Sequence, residues 1–225
     1  MQPGELSFRD RADAGRELIP RLMPYAAQKP VVLALPRGGV PVAFEIAKAL
    51  QAPLDLVFVR KIGAPGHAEY GLGAVVDGAH PQVVLNEEAL GHLRVPPGYI
   101  EEETQRQLKE IERRRQHYLA GRQPVDVEGR IAIVVDDGIA TGGTVRAALK
   151  GLAQARPARL VLAVPVAPKD AIDRLKAEAD EVICLITPEP FYAVGEHYDD
   201  FSQTSDREVT TLLDEAQLWN KEKAP

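Results

Sequence analysis

Two adjacent carboxylates stand at the end of an apolar run in the middle of the chain. Residues 131–135 are mostly β-branched, as expected of a strand that is covered on both faces of a parallel sheet. Asp136 and Asp137 follow at once, and the carboxyl edge of such a sheet is where open α/β folds bind ligands. Because carboxylates accept hydrogen bonds, this pair suits a ligand with neighbouring hydroxyl groups, such as a sugar diol.

A turn suited to an anion begins three residues after the carboxylates. Its members are small, and two of them carry hydroxyl groups: Ala140, Thr141, Gly142, Gly143 and Thr144. The glycines let the backbone approach a phosphate, the threonines add donors, and the positive end of the following helix points to the same place. The alternative is an ordinary strand–loop–helix connection in which an Asp caps the helix, but capping needs one carboxylate and no Gly-Gly pair. The stretch therefore favours a monophosphate beside a diol.

Basic and glycine-rich residues follow two earlier predicted strands. The first strand is followed by a turn that contains Arg37, Gly38 and Gly39. Their backbone amides and the guanidinium would form a cradle for a diphosphate, although a plain glycine-rich turn has the same composition. Arg60 and Lys61 end the second strand at the same edge. They are interpreted as further anion ligands, or else as a solvated charge pair at a strand end.

The elements that must position these groups alternate along the chain. The hydrophobic pattern predicts strands over residues 31–35, 54–59, 131–135, 159–166 and 181–186, and helices over residues 8–23, 40–50, 99–119, 144–154 and 170–179. A capping box formed by Ser205 and Glu208 starts a last helix. Residues 61–78 are rich in glycine and alanine and are predicted to form a long mobile loop that ends in a short strand. This alternation predicts an α/β fold, with a mostly parallel sheet flanked by helices on both faces.

Composition and charge narrow the class of protein. The chain has 225 residues, of which 45% are hydrophobic and 27% are charged, as in an ordinary globular domain. The net charge of −6 argues against a nucleic-acid-binding protein. The block Arg113-Arg114-Arg115 lies among glutamates and is interpreted as a solvated helix face with pairs one turn apart. Without a long apolar run or a signal-like N-terminus, we expect a cytoplasmic protein with no membrane partner.

Together these motifs resemble those of the type I phosphoribosyltransferases. The resemblance implies the fold of that family, a small hood made by the chain ends, and a pentosyltransferase activity in nucleotide salvage that uses phosphoribosyl pyrophosphate (PRPP) and Mg²⁺. It implies that Asp136 and Asp137 contact the ribose hydroxyls, hold Mg²⁺ indirectly through these hydroxyls or water, and act in catalysis. It places the 5′-phosphate on residues 140–144. The pyrophosphate would be bound by Arg37, Gly38, Gly39, Arg60 and Lys61.

The residues near the expected acceptor resemble two different groups of these enzymes. Ala140 stands where 6-oxopurine transferases carry an aspartate, and Glu69 lies in a Glu-Tyr-Gly segment like that of adenine transferases. Tyr192 and Val194 lie instead in a tail similar to the base-stacking tail of 6-oxopurine enzymes. The resemblance therefore implies a nitrogen acceptor, such as a purine-like nucleobase, with Glu69 and Lys61 as further catalytic residues.

The fullest resemblance is to a group of bacterial phosphoribosyltransferases of unassigned acceptor, and it spans nearly the whole chain. It rests on residues 8–11, 60–66, 135–144 and 191–206.

The implied organisation is a core of residues 24–187, with a helical insertion at about 98–120, and a hood of residues 1–23 and 188–225. A homodimer is compatible with it. The competing interpretation is a non-catalytic protein that senses PRPP or a nucleotide and controls a protein partner through the charged helix 99–119.

Overall fold

A five-stranded parallel sheet forms the centre of the protein. The computed structural model describes residues 7–221, with the side chains of residues 68, 69, 220 and 221 outside that description. The strand order is β2-β1-β6-β7-β8, and every neighbouring pair is parallel. The strands are β1 (Val31–Ala34), β2 (Leu54–Leu56), β6 (Ile131–Val135), β7 (Arg159–Val166) and β8 (Glu181–Ile186). The predicted α/β fold with a mostly parallel sheet is confirmed.

Helices cover both faces of this sheet. They are α1 (Arg11–Leu22), α2 (Gly39–Leu50), α3 (Glu87–His92), α4 (Tyr99–Leu119), α5 (Gly143–Gln154), α6 (Lys169–Leu175) and α7 (Asp206–Lys221). The pleat of β6 explains the division, because Ile133 and Val135 join the core beneath α1, α2 and α7, whereas Ala132 and Val134 join the core beneath α5 and α6. A strand buried on both faces has to be apolar at every position, which is the pattern seen in the sequence.

Residues 59–85 form a second sheet, and the prediction of a long mobile loop over residues 61–78 is wrong. The strands β3 (Val59–Ala64), β4 (His67–Val76) and β5 (Gln82–Leu85) pair antiparallel in that order. The turn between β3 and β4 is Pro65-Gly66, and Gly66 has a φ of 73°. Proline followed by a residue with positive φ suits a tight turn, so the same residues that suggested a loop close a hairpin.

The charged helix α4 is attached to the core by a buried arginine. Arg115 contacts Asp77 (Nη1 to Oδ2, 2.8 Å) and Asp55 (Nη2 to Oδ1, 3.1 Å), and all three side chains are buried. Arg113 and Arg114 pair with Glu110 on the same helix, as expected of a solvated face. The interpretation of the whole arginine block as solvated is therefore wrong for Arg115, whose charge is satisfied by two distant carboxylates.

The first described residues meet the segment that precedes α7 beside the main sheet. Phe8 forms a bridge with Tyr198, its amide donates to the carbonyl oxygen of His197 (2.9 Å), and its own carbonyl accepts from the amide of Asp199 (2.8 Å). The predicted cap of α7 is present, since Ser205 Oγ accepts from the amide of Glu208 (3.1 Å). Residues 1–6 and 222–225 of the predicted hood lie outside the described residues. Among the helices of residues 7–221, none is long and apolar enough to span a membrane.

Candidate functional site

The acidic pair lies at the carboxyl edge of the main sheet, where β6 ends. The amide of Asp137 donates to Asp136 Oδ1 (2.9 Å), so the first carboxylate stabilises the turn that presents the second. The neighbouring strand β1 ends at the same edge, because the amide of Leu35 donates to the carbonyl oxygen of Val135 (2.9 Å). The sequence prediction of two strand ends meeting at one edge therefore holds for these residues.

The glycine-rich turn after β1 packs directly against the acidic pair. A Cβ atom at Gly38 would collide with the carboxylate of Asp137, and one at Gly39 would lie 2.7 Å from the carbonyl oxygen of Val135. Both positions therefore have room only for a hydrogen atom. The peptide bond between Pro36 and Arg37, which opens this turn, is cis. The two predicted binding motifs, about one hundred residues apart in sequence, thus form one surface.

Arg11 of helix α1 holds one member of the acidic pair. Its Nε atom lies 2.7 Å from Asp137 Oδ2, and these side chains are only 12% and 15% exposed. The Nη1 atom donates to the carbonyl oxygen of Ser202 (2.6 Å), and the guanidinium lies 4.0 Å from the centre of the Phe201 ring. This arginine therefore fixes Asp137 and ties the first helix to the tail of the chain.

The tail also covers the start of the loop after β6. The hydroxyl of Tyr198 donates to the carbonyl oxygen of Asp137 (2.6 Å), and a Cβ atom at Gly138 would collide with Val194. Val194, predicted to contact a base, therefore lies at the acidic edge. Tyr192 is 74% exposed and contributes no enclosed surface here.

The acidic pair is electrostatically unequal. Desolvation, and next the charge of Asp137, raise the pKa of Asp136 well above the ordinary value of an aspartate, against the opposing effect of Arg11. Asp137 has the arginine as its direct partner. Asp136 therefore takes up a proton more readily than a free aspartate does.

The predicted phosphate turn presents its backbone to an open cavity. Gly142 has a φ of 80°, α5 begins at the next residue, and no side chain caps that helix. Thr141, Gly143 and Thr144 line a cavity of about 840 Å³ together with Lys61. Free amides at a helix N-terminus beside a basic side chain are an arrangement that binds anions.

The prediction that Arg60 and Lys61 end the second strand of the main sheet is wrong, because that strand ends at Leu56 and both residues lie within β3 of the antiparallel sheet. The predicted basic residues point to different places. Arg37 contacts Asp206 at the start of α7 (Nη1 to Oδ1, 3.2 Å), and Arg60 donates through Nε to Gln107 of α4 (3.0 Å). Lys61 alone among the three reaches the cavity beside the phosphate turn. Glu69 lies in β4, but its side chain is outside the described part of the structure.

Metal binding at this edge would depend on the acidic pair. Within the described part of the chain, no group of three or more His, Cys, Asp or Glu side chains is arranged to hold a metal ion. Mg²⁺ commonly uses one or two carboxylates, water and substrate oxygens rather than a cage of protein ligands. The carboxylates of Asp136 and Asp137 fit this mode, directly or through water.

Three contacts at the site were missed from the sequence. Arg11, Tyr198 and Asp206 come from the chain ends and reach β6 or the β1 turn only in the folded protein. Arg11 was noted as part of a motif at residues 8–11, but no local pattern assigned it a partner.

Comparisons with known proteins show the family of this chain. The model of the family described as "Phosphoribosyl transferase domain" matches residues 9–200. The Mycobacterium tuberculosis protein named "Putative phosphoribosyl transferase Rv0571c" is 48% identical over 211 residues, which are 93% of this chain and 47% of that protein. The chain thus spans about half the length of the curated relatives it matches. The crystal structure of the protein TT1426 from Thermus thermophilus is 45% identical, with a TM-score of 0.81 over 93% of this chain and 98% of that one.

Proposed function

Because the chain belongs to the phosphoribosyl transferase domain family, we propose that it transfers ribose 5-phosphate from PRPP to a nitrogen acceptor and releases pyrophosphate. In this reaction the bond from C1′ to the pyrophosphate oxygen breaks, a bond from C1′ to nitrogen forms, and the acceptor nitrogen loses a proton. The observation that carries the proposal is the contact between two turns. The Gly38–Gly39 turn packs on Asp136 and Asp137, and the chain continues from these aspartates into the phosphate turn.

The 5′-phosphate of the donor is proposed to bind at residues 140–144. This assignment is supported by the uncapped start of α5, the positive φ of Gly142 and the exposed hydroxyls of Thr141 and Thr144. The adjoining cavity has a volume of about 840 Å³, which lies within the range of about 300–1,000 Å³ that is typical of small-molecule sites.

The acidic pair is proposed to bind the ribose hydroxyls and to favour the positive charge that develops at C1′. A carboxylate close to a developing cation lowers the energy of the transition state because it is already in place when the charge appears. Arg11 acts here as a positioning residue: it touches Asp137 Oδ2 and leaves Oδ1 for a ligand.

The leaving pyrophosphate is proposed to lie against the amides of Gly38 and Gly39, with Arg37, Arg60 and Lys61 supplying positive charge. Arg37 contacts Asp206, and Arg60 contacts Gln107. Each arginine would therefore have to leave its partner in order to bind the pyrophosphate. Mg²⁺, held through Asp136, Asp137 or the ribose hydroxyls, would neutralise part of the pyrophosphate charge.

The acceptor is proposed to be a purine-like nucleobase placed against Val194, with Tyr192 available to cover it. Val194 supports this placement because it lies on Gly138, next to the acidic pair. Glu69 remains the candidate to receive the acceptor proton, on the basis of its sequence position alone.

The domain organisation is likewise a proposal. Residues 24–187 would form the catalytic core, residues 98–120 an inserted helix, and residues 1–23 and 188–225 a hood. Its support is the meeting of Arg11 from the first segment and Ser202 from the second beside Asp137. A homodimer and a cytoplasmic location are compatible with this assignment.

A panel of bases tests the activity. The full-length protein is incubated with Mg²⁺ and PRPP against purine and pyrimidine bases, and pyrophosphate and the nucleoside monophosphate product are both quantified. Equal amounts of the two with one class of base are expected. Tight PRPP binding without release across the panel would contradict the transferase proposal and favour the sensor of PRPP or nucleotide.

A further inference from the structure

A second basic cavity lies behind the Arg37 turn, between helix α4 and the start of α7. Its volume is about 400 Å³, and its basic lining consists of Arg37, Arg113, Arg114 and His117. None of the residues that line the cavity beside the phosphate turn lines this one. This space, called the outer cavity below, is therefore separate from the proposed 5′-phosphate site, but it shares Arg37 with the proposed pyrophosphate site.

The arginines of the outer cavity are held in place before any ligand arrives. Glu110 accepts from Arg113 Nε (2.9 Å) and Nη2 (3.0 Å), and also from Arg114 Nε (3.0 Å). Glu110 itself does not line the cavity. The three arginines carry three positive charges, and the two acidic groups near them, Glu110 and Asp206, carry two negative charges. The cavity thus offers a net positive charge to an anionic ligand.

Asp206 occupies the place that an anionic ligand would take. Its carboxylate contacts Arg37 (3.2 Å), accepts from the hydroxyl of Tyr118 (2.6 Å) and lies 3.4 Å from His117 Nε2. The hydrogen bond from Tyr118 and the charge of Arg37 lower the pKa of Asp206, so it stays ionised. The carboxylate of Asp206 thereby contacts three side chains of the cavity, as one phosphate group of a ligand would.

Aromatic side chains form one wall of the outer cavity. The rings of Phe58 and Tyr118 are stacked, with centroids 6.2 Å apart and planes 19° apart, and His117 meets Tyr118 edge-on at 4.8 Å. A phosphate alone gains nothing from such a wall, whereas a planar base can pack on the exposed part of Tyr118, whose ring is backed by the buried Phe58. Charge and shape together therefore fit a ligand that carries both phosphates and a ring.

We propose that the outer cavity is a regulatory site for a nucleoside polyphosphate, which binds Arg113 and Arg114 and displaces Asp206 from Arg37. The consequence for the reaction follows from the chain itself. Arg37 is bonded to Gly38, and Gly38 packs on the carboxylate of Asp137. A ligand that frees or captures Arg37 would therefore alter the turn proposed to hold pyrophosphate. This second step rests on the proposed transferase function, whereas binding does not.

Binding is tested with ATP, without Mg²⁺, by calorimetry on the full-length protein. In the variant Arg113→Gln/Arg114→Gln the affinity is expected to fall at least ~10-fold, because two charge-assisted contacts are lost. The matched control is Arg156→Gln/Arg174→Gln, which removes the same charge from exposed surface pairs with Glu128 and Asp170. It should bind ATP as the wild type does. Equal losses in both variants, or no loss in the first, would overturn the proposal.

Two further measurements distinguish specific nucleotide binding at the outer cavity from nonspecific electrostatic binding of an anion. Asp206→Asn removes the competing carboxylate and is expected to tighten ATP binding roughly 3-fold or more; weaker or unchanged binding would contradict the displacement of Asp206. Inorganic triphosphate should bind at least ~10-fold more weakly than ATP, since it cannot use the aromatic wall. Equal affinity would overturn the assignment to a nucleotide.

Failure of the transferase proposal is distinguishable from failure of this one. ATP is expected to change the rate of pyrophosphate release at least ~2-fold in the wild type but not in Arg113→Gln/Arg114→Gln, whose basal rate should be normal. If no base supports any release, the transferase proposal fails while the binding experiments still decide the outer cavity. If release occurs but ATP changes both proteins alike, the regulatory role is overturned.

Discussion

Within residues 7–221, two pairs of aspartates each have an arginine partner, and the pairs differ in how many carboxylate oxygens remain free for a ligand. Asp55 and Asp77 are buried with Arg115, and Asp55 also accepts from the amides of Leu56 (2.7 Å) and Val125 (2.8 Å). Both oxygens of each aspartate have a donor. This closed pair has no capacity left for a ligand.

The pair at the sheet edge is arranged differently. Arg11 contacts one oxygen of Asp137, and Asp136 accepts from a single backbone amide. Burial raises the pKa of one aspartate in each pair, to about 6 for Asp77 and well above the ordinary value for Asp136. A raised pKa therefore does not distinguish the two pairs. What distinguishes the two pairs is that the pair at the sheet edge has carboxylate oxygens without a donor, next to the proposed phosphate-binding turn. These oxygens can bind a ligand, whereas those of the structural ion pair cannot.

The largest expected effect concerns the closed pair. Arg115→Met should lower the free energy of unfolding by about 3–5 kcal/mol, because two buried carboxylates lose their counter-charge. Urea unfolding followed by circular dichroism measures this. Arg114→Met, on the exposed face of the same helix, is the control and should change stability by no more than about 0.5 kcal/mol. Equal stability of the two variants would mean that the closed pair does not hold α4 to the core.

The next effect concerns the open pair. Asp137→Asn should lower the rate of pyrophosphate release about 100-fold, equivalent to about 2.7 kcal/mol, because a charge next to the developing cation is lost. Stability should change little, since the amide oxygen can still accept from Arg11. Asp173→Asn, which removes an exposed carboxylate on α6, serves as the control. An Asp137→Asn protein with the wild-type rate would show that the open pair has no part in the reaction.

A smaller effect is expected at the arginine of the open pair. Arg11→Lys should reduce the rate about 10-fold, because a lysine keeps the charge but cannot contact both Asp137 and the carbonyl oxygen of Ser202 as the guanidinium does. Arg11→Met should also move the acid limb of the pH–rate profile to higher pH. The sign follows from the removal of a cation that lowers the pKa of Asp136. A rate reduced equally at every pH would indicate that Arg11 only supports the fold.

The sequence predicted the open pair better than the closed one for a physical reason. Strand β6 was predicted with the bounds that the structure has, since burial on both faces leaves an uninterrupted apolar run. The carboxylates and the phosphate turn follow it within nine residues, so one local pattern contains them. Residues 61–78 were misassigned, because Pro65-Gly66 marks a tight turn as well as a loop.

No local sequence pattern predicts the ion pairs between residues that are far apart in the chain. Arg115 stands 60 positions from Asp55 and 38 from Asp77, and Arg11 stands 126 from Asp137. Each is surrounded by other charged residues, so its own neighbourhood favours exposure. Only the fold shows which arginine is buried and which carboxylate it meets.

The most direct test of the open pair as the donor site is a crystal structure of the protein with PRPP and Mg²⁺. The ribose hydroxyls are expected within about 3.2 Å of carboxylate oxygens of Asp136 and Asp137, with the 5′-phosphate on the amides of residues 141–144. PRPP bound elsewhere, with the open pair still in contact with Arg11 alone, would contradict the account.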